Sequence, residues 1–170
     1  MRLIILGAGG YGRTIADVAA QTERFDEISF LDDNSAAPDV IGKCAEFARF
    51  RDGQTAFYLA FGNNEGRLAW LYRLQEAGCA ILTIVHPTAY VSPTAQVERG
   101  SVIFPHAIVN TNCVVKSGCI VNCGAIVDHD CVLEEGVHVC LGAIVKAENR
   151  IPKCMKIEAG EVVQNRAYPL

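Results

Sequence analysis

The chain has 170 residues, 51% of them apolar, and a formal net charge of −4. This length allows one domain or two small ones with a buried core, and the mildly acidic balance argues against a nucleic-acid-binding protein, which would present a basic face. No apolar run reaches the roughly 20 residues of a membrane-spanning helix, so no membrane partner is expected.

Residues 1–84 alternate strand and helix patterns. Apolar runs at residues 2–6, 27–31, 56–61 and 80–85 predict strands, and one-sided apolar residues predict helices over 11–21 and 65–77, with a long loop between 34 and 55. Such alternation indicates a parallel sheet with helices on both faces. We therefore predict a small Rossmann-like domain over residues 1–84. Its first apolar run stops at a glycine turn, which favours a strand over a signal peptide.

The segment LGAGGYG, residues 6–12, has the spacing G-x-G-x-x-G between the first strand and the first helix. Glycines at this spacing allow a tight turn and let backbone N–H groups approach a pyrophosphate. Asp32 and Asp33 end the second strand, where an acid binds a ribose hydroxyl in dinucleotide-binding domains. Four strands make only half of such a domain, which suits a mononucleotide or a nucleotide-sugar. Alternatively, the glycines only pack the helix against the strand.

The segment FGNNEGR, residues 61–67, follows the third predicted strand. Turns at the carboxyl ends of parallel strands face one crevice, so Gly62 and Asn63 are candidate substrate-binding residues. The alternative is structural, since Asn tolerates left-handed backbone and caps helices.

From residue 85 the apolar pattern has a period of six. Fourteen consecutive positions at this spacing, from Val85 to Val163, are aliphatic, and a small residue follows four positions later through most of the run. A helix period of about 3.6 or a strand period of about 2 does not give this pattern, whereas a hexapeptide parallel β-helix does. We predict four to five triangular coils over residues 85–170, with Asn149, Met155 and Glu161 marking the last coil and a cap.

Three of the eight cysteines, Cys113, Cys119 and Cys131, occupy the small-residue position of the repeat. There they are expected to be small buried apolar groups. The chain has no C-x-x-C pair, so no metal site is predicted. Without a signal peptide the thiols are expected to be reduced, which predicts a cytoplasmic protein.

The glycine loop, FLDD (30–33), FGNNEGR and a β-helix that begins VHPTAYVSPTA (85–95) together resemble the bacterial sugar O- and N-acetyltransferases. This group includes sialic acid O-acetyltransferases and UDP-4-amino-sugar N-acetyltransferases, and the resemblance covers nearly the whole chain. It implies a left-handed β-helix and a homotrimer with active sites between subunits. It also implies an enzyme that transfers an acetyl group from acetyl-CoA to a nucleotide-activated amino sugar or a sialic-acid-type sugar.

The resemblance also implies roles for residues of the β-helix. His129 matches the general base and Asp130 the acid that orients it, while Asn122 and His138 match polar residues near the acetyl group and the substrate. An imidazole with a pKa of about 6.5 suits a base near neutral pH, and a carboxylate on its other nitrogen fixes the tautomer. A backbone N–H near Gly142 is a candidate donor to the oxyanion. Alternatively, both histidines are exposed turn residues at subunit contacts.

In the first domain the resemblance assigns the substrate-binding residues. Asp32 and Asp33 match acids that lie near the uracil of the substrate in that group, and the glycine loop matches the segment that binds the diphosphate. Tyr11 stands where that group often has a histidine. These candidates are Gly9, Gly10, Tyr11, Gly12, Asp32 and Asp33.

Two other functions remain open from the residues alone. Family members usually carry further coils that help to bind CoA, so the chain could be a non-catalytic nucleotide-sugar-binding or partner subunit that has lost CoA. A nicotinamide-dependent oxidoreductase is suggested by the glycine loop alone. For the acetyltransferase we expect direct attack on the thioester, because no Cys or Ser lies in a recognisable activating arrangement.

Overall fold

The structure is a computed structural model that describes residues 1–22 and 24–170. These residues form two compact units, Met1–Leu82 and Thr83–Leu170. No helix in the described part of the chain is long and apolar enough to cross a lipid bilayer.

The first unit is built on a four-stranded parallel sheet with the order β2-β1-β3-β4. Its strands are β1 (Arg2–Leu6), β2 (Glu27–Leu31), β3 (Thr55–Leu59) and β4 (Ala80–Ile81). The connections contain helices α1 (Gly10–Ala20) and α2 (Asn64–Glu76) and a 3₁₀ helix (Cys44–Phe50). The predicted helices and the first three predicted strands are confirmed, and the strands are parallel. Because β1, β2 and β3 are neighbours, the turns that follow them meet at one edge of the sheet.

The strand predicted over residues 80–85 is divided in the structure. Its first part, β4, pairs with β3. Its last two residues, Ile84 and Val85, instead pair with Val102 and Ile103 in the second unit. The sequence AILTIV is apolar apart from Thr83, and this one polar residue lies where the run divides between the two units.

The second unit consists of fourteen two-residue strands in three parallel sheets, which we call the first, second and third faces. The first face contains β5 (Ile84–Val85), β8 (Val102–Ile103), β11 (Ile120–Val121), β14 (His138–Val139) and β17 (Lys156–Ile157). The second contains β6 (Tyr90–Val91), β9 (Ile108–Val109), β12 (Ile126–Val127), β15 (Ile144–Val145) and β18 (Val162–Val163). The third contains β7 (Gln96–Val97), β10 (Val114–Val115), β13 (Val132–Leu133) and β16 (Arg150–Ile151).

Each strand pairs with the strand 18 residues further along, so three hexapeptides make one coil. Ile120, for example, lies opposite His138, and Val114 N–H donates to the Cys131 carbonyl oxygen at 2.9 Å. With three strands to a coil, the fourteen strands make between four and five coils. The predicted parallel β-helix is therefore confirmed.

The interior of the β-helix is apolar. The second residue of each strand points inward and is fully buried from Ile103 to Ile151. The three cysteines predicted to lie inside are also fully buried. Their thiols donate to carbonyl oxygens in the next coil, as Cys113 Sγ does to Asp128 O at 2.9 Å.

The turns repeat one backbone feature. Every sixth residue from 100 to 166 has a positive φ, and six of these twelve residues are not glycine: His106, Asn112, Asp130, Glu148, Cys154 and Arg166, with φ between 54° and 59°. A left-handed backbone costs an L-residue about 1–2 kcal/mol, and Asn, Asp and His tolerate it best. The repeat therefore fixes the backbone of Asn112 and Asp130 in the same uncommon conformation.

Asn149 closes the last coil. Its side chain is fully buried, and its amide nitrogen donates to the carbonyl oxygens of Lys146 at 2.7 Å and Gln164 at 2.9 Å. Its amide oxygen accepts the N–H of Tyr168 at 2.8 Å. The following residue, Arg150, donates its N–H to the Tyr168 carbonyl oxygen at 2.6 Å. The predicted role of Asn149 in the last coil thus takes the form of a hydrogen-bonded clasp on the segment that follows β18.

We expect Asn149→Ala to lower the free energy of unfolding by about 1–3 kcal/mol, because it leaves buried backbone groups without partners. Urea unfolding followed by circular dichroism measures this change. Asn165→Ala is the control, since Asn165 is exposed and its side chain makes no hydrogen bond with a described residue; it should change stability by less than about 0.5 kcal/mol. Equal unfolding midpoints for the two variants would contradict the clasp.

Candidate functional site

A cleft of about 340 Å³ opens at the carboxyl ends of β1, β2 and β3. The glycine loop, the two acids after β2 and the turn after β3 all contribute to it, so the structure brings together the three segments that the sequence pointed to. The lining residues are Gly7, Gly9, Asp32, Asp33, Asn34, Cys44, Ala60, Phe61, Gly62 and Asn63.

The glycines of the loop divide into two kinds. A Cβ on Gly12 would lie 2.0 Å from the Gly7 carbonyl oxygen, and one on Gly7 would lie 2.8 Å from the Ala60 carbonyl oxygen. These two glycines permit the close packing of α1 on the sheet, as the alternative interpretation proposed. At Gly9 and Gly10 a Cβ would meet no described atom within 4 Å other than those of the adjoining backbone, and no described side chain caps the start of α1. This part of the loop is therefore open to an anion.

Tyr11 does not line the cleft. Its hydroxyl group lies 2.9 Å from that of Tyr58 on β3. Burial raises the pKa of Tyr11 to about 12, so the phenol is neutral near pH 7. Its position in the structure is that of a support beneath the loop.

The two acids after β2 have different surroundings. Asp32 Oδ2 accepts the N–H of Ala8 at 2.7 Å, and its Oδ1 accepts those of Asn34 and Ser35 at 2.7 and 2.8 Å. These bonds, above all that from Ala8, lower the pKa of Asp32. Asp33 Oδ1 accepts only the Cys44 N–H, at 3.0 Å, and its Oδ2 makes no hydrogen bond with the residues that the structure describes. Asp32 therefore ties the glycine loop to the next turn, whereas Asp33 keeps a carboxylate oxygen for a ligand.

Asn63 has the capping role that the sequence left open. Its Oδ1 accepts the N–H of Gly66 at 2.7 Å, and this bond starts α2. Asn63 and Gly62 nevertheless line the cleft. The turn thus combines a helix cap with one wall of the cleft.

His129 and Asp130 form a close pair in the turn between β12 and β13. His129 Nδ1 lies 2.7 Å from Asp130 Oδ2, and each side chain is a little under half exposed. A carboxylate only accepts hydrogen bonds, so Nδ1 carries the proton and Nε2 of the neutral ring has a free lone pair. The backbone of His129 is also held, because its N–H donates to Asp128 Oδ1 at 2.8 Å. The arrangement is that of a general base with an orienting acid.

The same contacts set the protonation of the pair. The hydrogen bond to Asp130 is the main cause that raises the pKa of His129, and the charges of Asp128 and Glu148 act in the same direction. The pKa of Asp130 is lowered, first by a hydrogen bond from Asn112 and then by His129. Asn112 Nδ2 donates to Asp130 Oδ1 at 3.0 Å. Asn112 is not among the residues predicted from the sequence, although it lies 18 residues, or one coil, before Asp130.

His138 does not meet His129 within one chain. His138 lies on the first face, where its Nε2 is 3.3 Å from Asn122 Nδ2. His129 lies at the corner between the second and third faces, which is opposite the first face of a triangular coil. Their separation of nine residues is half of the 18-residue coil, so the two histidines point away from each other. The structure brings Asn122 to His138 but brings neither of them to His129.

The N–H of Gly142 is not available to an oxyanion. It donates to the Cys123 carbonyl oxygen at 3.0 Å, just as the N–H of Gly136 donates to Ser117 O at 3.0 Å. Left-handed turn residues thus use their N–H groups to hold the coil before them. The N–H of Gly142 is therefore used within the chain, and an oxyanion donor near Gly142 stays a prediction.

Within residues 1–22 and 24–170, no group of three or more His, Cys, Asp or Glu side chains is arranged to hold a metal ion.

A titration of the four histidines by NMR tests the His129 pair. We expect a His129 pKa above the ordinary value of about 6.5, because the neighbouring carboxylates stabilise the imidazolium. Asp130→Asn should bring it down towards that value. In the wild type, the contribution of this contact to the free energy of unfolding is fully present below the pKa of His129 in the unfolded state. It is lost as the pH rises through the higher pKa of His129 in the folded state. His129→Ala assigns the resonance, and an unchanged titration in Asp130→Asn would contradict the pairing.

Comparisons with known proteins agree with this description. The family described as the PglD N-terminal domain matches residues 2–74. The acetyltransferase domain of PglB from Neisseria gonorrhoeae FA1090 is 34% identical, with a TM-score of 0.93 over 97% of this chain and 83% of that one. The same domain in complex with acetyl coenzyme A gives a TM-score of 0.92 at 34% identity, over 97% and 82% of the two chains.

A more distant structure shares the fold. It is a variant of perosamine N-acetyltransferase from Caulobacter crescentus in complex with CoA and GDP-perosamine. Its TM-score is 0.80 at 20% identity, over 97% of this chain and 89% of that one.

Proposed function

Because the chain belongs to the bacterial sugar acetyltransferases, we propose that it acetylates the amino group of a nucleotide-linked amino sugar, with His129 as general base. The chain is an acyltransferase, and acetyl-CoA is its co-substrate. The observation that carries the proposal is the 2.7 Å contact between His129 and Asp130. The alternative of a subunit that has lost CoA binding is not retained, because the chain is an acyltransferase.

In the proposed reaction the sugar amine attacks the thioester carbonyl carbon directly. A C–N bond forms, the C–S bond breaks, and His129 Nε2 takes the proton that the amine gives up. Asp130 stabilises the resulting imidazolium without itself accepting the proton. The imidazolium then protonates the departing CoA thiolate, which returns the ring to its starting state. No cysteine or serine nucleophile enters this scheme.

The cleft of the first unit is the proposed site of the nucleotide. The glycine loop at the start of α1 would hold the diphosphate through the open backbone around Gly9 and Gly10, as Rossmann-like domains do. Asp33 would accept N–H donors of the base or hydroxyl groups of the ribose, and Gly62 and Asn63 would form the opposite wall. Asp32, Tyr11 and Gly12 would support the loop. The GDP-perosamine in the Caulobacter relative supports a nucleotide-sugar as substrate.

We assign the first unit, predicted as residues 1–84 and ending at Leu82 in the structure, to nucleotide-sugar binding, and the second unit to a left-handed β-helix along which acetyl-CoA would lie. His138 and the turn at Gly142 are the proposed contacts for acetyl-CoA. Since Asn122 and His138 lie opposite His129 in one chain, they could act with it only across a subunit boundary.

We propose a homotrimer for two reasons. The first is that Asn122 and His138 could meet His129 only across a subunit boundary, and the second is an exposed apolar row. The first residues of the second-face strands form an outward apolar row of Tyr90, Ile108, Ile126, Ile144 and Val162, whose two ends are 53% and 42% exposed. Exposed apolar rows mark interaction surfaces, and in this proposal copies of the same chain cover this one.

His129→Ala should reduce kcat by roughly 10²–10⁴-fold, the usual contribution of a positioned general base. Asp130→Asn should reduce it less, because the base remains. Release of the CoA thiol measures the rate, and Asn165→Ala is the control. In the wild type the rate should rise with pH through the raised pKa of His129. An acidic limb that persists unchanged in the residual activity of His129→Ala would refute the assignment.

Asp32 and Asp33 make a matched pair for the nucleotide site. Asp33→Asn should weaken binding of nucleotide-sugar probes such as UDP-N-acetylglucosamine and GDP-mannose by about tenfold, with little change in stability. Asp32→Asn should instead lower the free energy of unfolding by about 1–3 kcal/mol, because an amide cannot accept three backbone N–H groups as a carboxylate does. Calorimetric titration and thermal unfolding measure the two effects. The division of roles fails if Asp33→Asn binds either probe as the wild type does.

A further inference from the structure

We propose that Asn112 is a positioning residue of the catalytic pair: from the coil before, its amide fixes the rotation of the Asp130 carboxylate and thereby the ring of His129. This inference rests on the proposed role of His129 as general base. It assigns a function to a residue that does not itself touch the imidazole.

The carboxylate of Asp130 has one partner on each oxygen. Oδ2 lies 2.7 Å from His129 Nδ1, and Oδ1 accepts Asn112 Nδ2 at 3.0 Å. Rotation of the carboxylate about its bond to Cβ would break both contacts together. Asp130 is 43% exposed, so water competes for its oxygens. With Asn112 removed, the hydrogen bond to His129 would alone have to hold the carboxylate against this competition.

Asn112 is itself held in place. Its backbone is left-handed with φ 59°, like that of Asp130 with φ 56°, and the two residues are one coil apart. The N–H of Asn112 donates to Thr94 Oγ1 at 3.0 Å, and Thr94 Oγ1 lies 3.1 Å from Ser92 Oγ. The adjacent Thr111 accepts the N–H of Asp130 at 2.9 Å. Asp130 is thus tied to the coil before it through both its backbone and its side chain.

The neighbouring asparagine has a different effect. Asn110 Nδ2 donates to Asp128 Oδ1 at 3.2 Å, and the same oxygen accepts the backbone N–H of His129. Asn110 therefore supports the backbone of His129, whereas Asn112 supports the acid that holds its ring. The Asn112 contact acts on the acid that is hydrogen-bonded to the ring, so its loss should change the tautomer and basicity of the imidazole more than loss of the Asn110 contact.

Because negative charges surround His129, two replacements of Asn112 should shift the pKa of His129 in opposite directions. The charges of Asp128, Asp130 and Glu148 all raise the pKa of His129, and Glu148 is also paired with Arg166. Loss of the Asn112 amide would loosen Asp130 and so weaken its stabilisation of the imidazolium. A carboxylate at position 112 would add a negative charge beside the pair and strengthen that stabilisation.

The experiment compares Asn112→Gly, Asn112→Asp and the control His106→Gly. Glycine accepts the left-handed backbone, so the first variant removes the amide without straining the turn. His106 has φ 58° in the turn before and receives the same replacement. For Asn112→Gly we expect kcat to fall about tenfold, the size of one hydrogen bond to a charged group, with an unchanged KM for acetyl-CoA. Its acidic limb and the NMR titration of His129 should both move to lower pH. For Asn112→Asp both should move to higher pH.

The outcomes separate this inference from the proposed function. If His129→Ala keeps its activity, the proposed base is wrong. If His129→Ala is inactive while Asn112→Gly matches His106→Gly in rate, acidic limb and His129 titration, the inference on Asn112 alone is overturned. A lower rate in Asn112→Gly without any movement of the limb or of the titration would also overturn it, because a purely structural loss gives that result.

Discussion

The stacking of one coil on the next, at an interval of 18 residues, is the constraint on which the second unit depends. Each backbone N–H of a strand finds its partner in the neighbouring coil, as Val114 finds Cys131. The same interval joins Asn112 to Asp130 and Lys116 to Glu134. A side chain in a turn therefore meets its chemical partners in the adjacent coil rather than in its own. The environment of His129 is accordingly built from residues near 112, 130 and 148.

In the first unit, the turns that follow β1, β2 and β3 lie together at one edge of the sheet. The two adjacent acids at this edge have different roles: Asp32 accepts backbone N–H groups from two segments, and Asp33 has one carboxylate oxygen without a hydrogen bond to a described residue. The glycines of the loop also have two roles: Gly7 and Gly12 allow close packing, and Gly9 and Gly10 leave space for a ligand. At this edge an aspartate and two glycines support the loop, while another aspartate and two other glycines line the cleft or stay open to a ligand. Residue type alone therefore does not separate the two roles.

The sequence predicts the parts of this molecule that repeat or alternate. The six-residue period is enough for the β-helix, and strand–helix alternation is enough for the first sheet. The division of residues 80–85 is hard to predict, because a run that is apolar except at Thr83 serves two sheets. The separate roles of Asp32 and Asp33 depend on which N–H groups reach each oxygen. The hydrogen bond of the Gly142 N–H to the preceding coil is likewise not visible in the sequence. The sequence does predict that His129 and His138 lie on opposite sides of the β-helix, because they are nine residues apart and one coil has eighteen.

The triangular coil restricts how this half of the chain can change in length. A deletion of six residues between Asn122 and His138 would preserve the inward aliphatic phase and keep the core filled. It would nevertheless turn every later residue by one face of the prism, so that His138 would leave the face it shares with β11. Only a change of a whole coil restores every residue to its face, and even this alters which coils are neighbours. Insertions and deletions that respect the hydrophobic pattern can therefore still dismantle the site, and length variation compatible with function comes in steps of eighteen residues.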